Sequence, residues 1–230
     1  MLRSSASPAV DHARRVIAQT RELVAWSDRL RSARAGRVRL GMVDVAAVEH
    51  FPAVVGAFRA ERPGVELTMS VAPSAALLDA LRDGDLDLAV CVEPPEPRDG
   101  IVTEFLLDEP LVVIAPQGTP TDDPRGWGPW ATFPTGSHTR ALIVERLREL
   151  GAPLVIAAES HQPTVLVQLA RLGLGWTVLP ARNPPPDVEL GPVLVRRRLV
   201  LARRQAAFAD PAVDEMAERL RTGSVREAPN

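Results

Sequence analysis

Between Val38 and Val92 the apolar pattern keeps changing period, and this alternation constrains the fold more than any other feature of the chain. "VRLGMV" (38–43), "VELTMSV" (65–71) and "DLAVCV" (87–92) are short runs of β-forming residues. Between them, "FPAVVGAFRAERPG" carries Phe51, Val54, Val55 and Phe58, and "SAALLDALRDGD" carries Leu77, Leu78 and Leu81, both at helical spacing. Strand–helix–strand–helix–strand at this length predicts an open α/β sheet with right-handed crossovers. "LVVIAP" (111–116) supplies a further strand.

From 117 to 135 the texture shifts to Gly, Pro, Asp and Trp, which suits a crossing between lobes. A second α/β run follows: helix 139–150, strand 154–158, helix 163–172 and strand 176–179. "ARNPPPDVELGP" (181–192) is another crossing, after which "VLVRRRLVLARR" (193–204) alternates as strands do. The closing helix has Asp210 as N-cap, Pro211 in its first turn and Gly223 as its stop. The expected organisation is residues 1–36 as a linker and dimerisation helix, 37–117 with 193–230 as lobe I, and 118–192 as lobe II.

The N-terminal helix is expected over residues 8–34, opened by Ser7-Pro8 and ended by Gly36. Ala9, Val16, Leu23 and Leu30 fall seven apart, with Ala13, Thr20 and Ser27 between them and Val10, Ile17 and Val24 widening the stripe. Such a stripe wants another helix. Val16, Thr20, Leu23 and Leu30 are therefore candidate dimerisation positions, the alternative being a helix laid along its own domain.

Composition removes several functions. All 27 basic residues are arginine, so neither a P-loop lysine nor a Schiff-base amine exists here. A net charge of −2 gives no global field that would draw nucleic acid. No apolar run approaches the roughly 20 residues of a membrane helix, and no membrane partner is expected. A single cysteine, Cys91, suits a reducing compartment, so a cytoplasmic location is expected.

"LARLGLGWTVLP" (169–180) contains Gly-x-Gly, but the helix precedes the glycines and the strand follows them. That is the reverse of a dinucleotide fingerprint. Gly173 reads as a helix stop in left-handed conformation, and Gly175 as a tight entry into the strand. The same words resemble the second-lobe signature of LysR-type transcriptional regulators. "HFPAVVGAFRAERPGVELTMSVAPSAALLDALRDGDLDLAVCV" resembles the opening of that family's effector-binding domain, and "FLLDEPLVVIAP", "DPAVDEMAERL" and the N-terminal "SPAVDHARRVIAQTRELV" fit its later parts and its linker helix. The resemblance implies two Rossmann-like α/β lobes of the type 2 periplasmic-binding-protein kind, with a small-molecule effector in a cleft between them. It also implies a homodimer or homotetramer. The family's winged helix-turn-helix should precede the linker helix, and no residues here could form it, so specific operator binding is not expected of this chain alone.

Ligands of open α/β sheets meet strand carboxyl ends and helix N-termini. Four stretches qualify as effector-binding: Asp44-Val45, Ser74-Ala75, Thr135-Gly136-Ser137 and Ser160-His161. Ser74 reads as a helix cap, either alone or with a ligand contact added. At Asp44-Val45 the family's turn usually carries a hydroxyl. Asp44 either caps the following helix or, facing the ligand, favours a neutral, amino-bearing or apolar effector over a dianion.

No catalytic constellation, metal site or cofactor motif is expected. Cys91 ends a buried-looking strand and reads as a packed thiol. His12, His50, His138 and His161 lack metal-ligand spacing, and Asp85 and Asp87 read as solvated turn positions. Arg196-Arg197-Arg198 and Arg203-Arg204 read as solvated strand edges. The expected function is non-catalytic effector sensing and oligomerisation. A free-standing solute-binding protein or decoy subunit, and an enzyme on the same fold, are the alternatives.

Overall fold

The computed structural model describes residues 36–180, 188–205 and 210–225, together with nine positions between Ala9 and Val24. Those nine are helical, and Val16, Ile17 and Val24 are exposed among them. Leu23 and Leu30, and the end of the expected helix before Gly36, lie outside the described residues.

The chain forms two compact α/β units, one up to Leu106 and again from Val200, the other Leu107–Leu199. Both passages fall inside long strands rather than in the proline-rich stretches at 117–135 and 181–192. Those strands are β4 (Ile101–Ala115) and β8 (Glu189–Arg204).

The first unit opens with β1 (Arg37–Met42) and a π-helical turn (Ala46–His50), then α1 (Pro52–Glu61), β2 (Glu66–Val71), α2 (Ser74–Arg82) and β3 (Leu88–Val92). β1 pairs in parallel with β2 (Leu40↔Met69) and with β3 (Leu40↔Leu88), as the alternation predicted. Leu77, Leu78 and Leu81 bury one stripe of α2, and Phe51 and Phe58 anchor the chain around α1. Each such side chain contributes about 1.5–3 kcal/mol relative to exposure. A Cβ at Gly41 would lie 2.6 Å from Leu86 Cδ1 and 2.7 Å from Leu77 Cδ2, so a larger residue in β1 would have to displace two buried leucine side chains. α5 (Pro211–Val225) returns to this unit. Asp210 Oδ1 accepts the Ala212 N–H at 3.0 Å, the cap expected there. Gly223 is not the stop. It lies within α5, where a Cβ would come 2.5 Å from Val54 Cγ2; it lets α1 and α5 approach.

The second unit contains β5 (Trp130–Thr132), α3 (His138–Glu149), β6 (Ile156–Glu159), α4 (Pro163–Arg171) and β7 (Thr177–Pro180). β7 runs antiparallel to β4 (Val113↔Val178), and β5 runs parallel to β6. β5 lies within the stretch expected to be an irregular crossing; three buried residues are too few to show a period. Trp127, Trp130 and Trp176 form a mutual aromatic cluster with centroids 6.0–6.3 Å apart. Gly173 ends α4 with φ +70°, the left-handed stop expected. A Cβ at Gly175 would lie 2.9 Å from the Pro129 carbonyl, so its role is close approach of two backbones.

Candidate functional site

Each unit gathers two of the four candidate stretches at the carboxyl ends of a parallel strand set. In the first unit the Val43 N–H donates to the Val90 carbonyl (3.0 Å) and the Ala72 N–H to the Met42 carbonyl (3.2 Å), aligning the ends of β1, β2 and β3. Asp44-Val45 and Ser74-Ala75 leave the sheet from these ends. Asp44 is exposed, and the helical turn after it opens on the Val43 carbonyl, which accepts the Ala47 N–H at 3.1 Å. Among the described residues no side-chain hydrogen bond caps that turn, so Asp44 is not a cap. Val45 is buried.

Ser74 is not the cap of α2 either. Pro73 holds that position, its carbonyl accepting the Leu77 N–H. The buried Ser74 Oγ instead accepts the Val92 N–H at 3.1 Å, tying the start of α2 to the end of β3. Ala75 is half-buried beside it.

In the second unit Thr132 pairs with Glu159, and the Ser160 N–H donates to the Thr132 carbonyl at 3.0 Å. This brings Thr135-Gly136-Ser137 and Ser160-His161 to the same end of β5 and β6. Ser137 caps α3: its Oγ accepts the Arg140 N–H at 3.3 Å and its carbonyl the Ala141 N–H. Thr135 and Gly136 are exposed in the turn before it, with Gly136 at φ +90°. Ser160 Oγ accepts the Gln162 N–H at 3.1 Å in a local turn, and His161 is exposed. Arg140 was not among the candidates. Its guanidinium donates to the Phe133 carbonyl (3.1 Å) and to the Glu159 carboxylate, stapling the two loops together.

Other sequence expectations divide. Cys91 is fully buried, and desolvation pushes its thiol up to about 12, which suits packing and not nucleophilic chemistry. Asp87 is half-buried and not a free turn carboxylate: it accepts the Arg39 backbone N–H at 2.8 Å and pairs with the Arg39 guanidinium at 2.6 Å. Arg197 is not a solvated edge residue. It is buried, with Nε 2.7 Å from Glu109 Oε2 and Nη1 2.9 Å from Thr139 Oγ1. A sequence signal for both buried charges exists. Arg197 is in phase with Val195, Leu199 and Leu201, and Glu109 with Leu107, Leu111 and Val113, so each falls on the inward parity of its strand.

The family model described as the LysR substrate binding domain matches residues 31–224. The probable hydrogen peroxide-inducible genes activator of Streptomyces viridosporus is 30% identical over 226 residues, covering 94% of this chain and 69% of that protein. The transcriptional regulator CbbR of Rhizobium meliloti (strain 1021) is 26% identical over 199 residues; the alignment covers 83% of this chain and 63% of the regulator, so this chain spans less than two thirds of that relative. The solved effector-binding domain of QuiR in complex with shikimate superposes with a TM-score of 0.74 at 18% identity, covering 84% of this chain and 98% of that one, a likeness of fold. With the family's model matched across nearly the whole chain, this protein belongs to the LysR family through its substrate-binding domain.

Proposed function

We propose that this chain is the effector-sensing and oligomerising region of a LysR-type transcriptional regulator, acting in the cytoplasm without catalysis. The observation that carries the reading is the family match over residues 31–224, laid on two α/β units whose candidate loops stand at strand carboxyl ends. A small molecule held at these loops shifts the population of two conformations by binding one better than the other. In a whole regulator, paired chains pass that shift to a DNA-reading head.

The two loop clusters differ in chemistry. Thr135, Ser137 and Ser160 offer hydroxyls, while Asp44 presents an exposed carboxylate with no ordered partner among the described residues. That favours a neutral or amino-bearing effector. Peroxide chemistry, which the name of the Streptomyces relative carries, does not transfer through an internal disulfide, because Cys91 is the chain's single cysteine. Association as a homodimer or homotetramer is assigned to the N-terminal helix, whose exposed Val16, Ile17 and Val24 offer an apolar row beside Thr20.

The test is thermal shift with a panel of neutral hydroxylated compounds, amines and dicarboxylates, shikimate among them, on the chain and on Asp44→Asn. The expected result is stabilisation by a neutral or amino-bearing compound that weakens in the variant. A dicarboxylate that stabilises both proteins equally overturns the assignment of Asp44. A panel without any ligand, with a monomer in sedimentation, overturns the sensing reading.

A further inference from the structure

Glu109 on β4 and Arg197 on β8 form a buried ion pair, close to Leu107 and Leu199, where those strands enter and leave the second unit. Their side chains are 2% and 6% exposed. Burying such a pair is a poor route to stability, since apolar residues of the same volume commonly do as well or better. What it supplies is fixed geometry, because a planar guanidinium holds its donors in set directions. One of those donors reaches out of the strand pair to Thr139 Oγ1, in the first turn of α3. That turn carries Ser137 as cap and Arg140 as staple to Glu159. A cation beside a helix N-terminus is disfavoured by the helix dipole, and Glu109 offsets that cost. The arrangement thus spends a buried charge pair on tying one helix start to two strands.

We propose that the Glu109–Arg197–Thr139 chain couples the first turn of α3 to β4 and β8, so that occupancy of the Thr135–Ser137 loop is reported to the two strands through which the chain passes between units. Arg197 is a positioning residue here and Thr139 its attachment point. The inference rests on reading that loop as an effector loop, but its mechanical part is testable without a ligand.

The experiment perturbs the loop, reads at the strand and cuts the link between them. Ser137→Ala removes the cap, and the readout is the side-chain Nε–H resonance of Arg197 in the full chain, kept from fast exchange by burial. Ser137→Ala is expected to shift that resonance in the wild-type background and in Thr139→Ser, which keeps the hydroxyl. In Thr139→Val the shift should be lost. Thr139→Ala serves as the severed background should the valine variant not fold. A merely structural role for Thr139 would lower the melting temperature without abolishing the transmitted shift. No shift in the wild type, or an undiminished one in the severed background, overturns the proposal. Ligand binding is read separately by thermal shift: coupling without any ligand fails the sensing reading alone, and a bound ligand without coupling fails this inference alone.

Discussion

The two units differ in whether an ion pair enters the interior. In the first, the ion pairs lie at the rim. Arg39–Asp87 is partly covered, Arg62 and Glu215 are 48% and 30% exposed, and Arg221 meets Glu104 between α5 and β4. Its interior around β1, β3 and α2 is aliphatic. The second unit has surface pairs too, Arg140–Glu159 and Arg146–Glu149, but Glu109–Arg197 lies inside it, and its core includes three tryptophans. Rim pairs are screened by water and salt and contribute little individually. An interior pair cannot be half-removed without stranding a charge. The first unit should therefore tolerate charge deletion, and the second should not tolerate it at Glu109 or Arg197.

The largest effect tests that contrast directly. Arg197→Met removes the counter-charge from the buried Glu109 carboxylate and should cost about 3–5 kcal/mol, whereas Arg197→Met with Glu109→Leu should recover most of it. Urea unfolding followed by tryptophan fluorescence in a Trp26→Phe background reads the second unit, since the three other tryptophans, Trp127, Trp130 and Trp176, all lie there. A single variant no worse than the double would mean that water already reaches the pair, and the contrast between the units would collapse.

How much of this was legible beforehand follows the same division. The parallel strands of the first unit declared themselves as β-rich runs of five or six residues set between stretches of helical spacing. β5 did not, because Trp130–Thr132 is short and its partner strand lies beyond α3 in sequence. The loop positions at strand ends were legible, since sheet topology puts them there. Their hydrogen bonds were not: Ser74 turned away from its own helix to Val92, a choice made by tertiary packing. Arg197 was misread because a run of three arginines looks solvated, although its parity pointed inward. Gly223 was misread because a late glycine suggests a stop when the neighbouring helix is unseen.

Glycine substitutions sharpen the comparison at intermediate size. At Gly175 a new Cβ meets the Pro129 carbonyl at 2.9 Å and the Ala131 nitrogen at 3.1 Å, both backbone, so Gly175→Ala should cost about 1–3 kcal/mol. At Gly223 the obstacle is one side-chain methyl, Val54 Cγ2, and not backbone, and alanine recovers about 1 kcal/mol of helix propensity. Gly223→Ala should come out near neutral. Equal losses at the two sites, measured by the same unfolding experiment with circular dichroism for the first unit, would show that α1 and α5 pack as rigidly as β5 against residues 175–176.

The smallest effect is the most specific about the rim. Glu215 on α5 accepts from Arg62 Nε at 2.9 Å and from Arg219 at 2.6 Å. These two cations, Arg62 first, hold its carboxyl below the usual glutamate range. A depressed folded-state value means that the ionised carboxylate favours the folded chain. That stabilisation is present above the ordinary glutamate range of about 4.3 and is lost as pH falls through the lower folded value. Arg219, raised by Glu61 and Glu215, stays charged throughout this window and does not move it. Glu215→Gln should therefore melt slightly below the wild type at about pH 7, and the difference should shrink as pH falls below the ordinary glutamate range. High salt should shrink the neutral-pH difference, because the pair is exposed. A difference that survives both acid and salt would mean that Glu215 acts through packing between α1 and α5, placing part of the first unit's rim on the same footing as the second unit's interior.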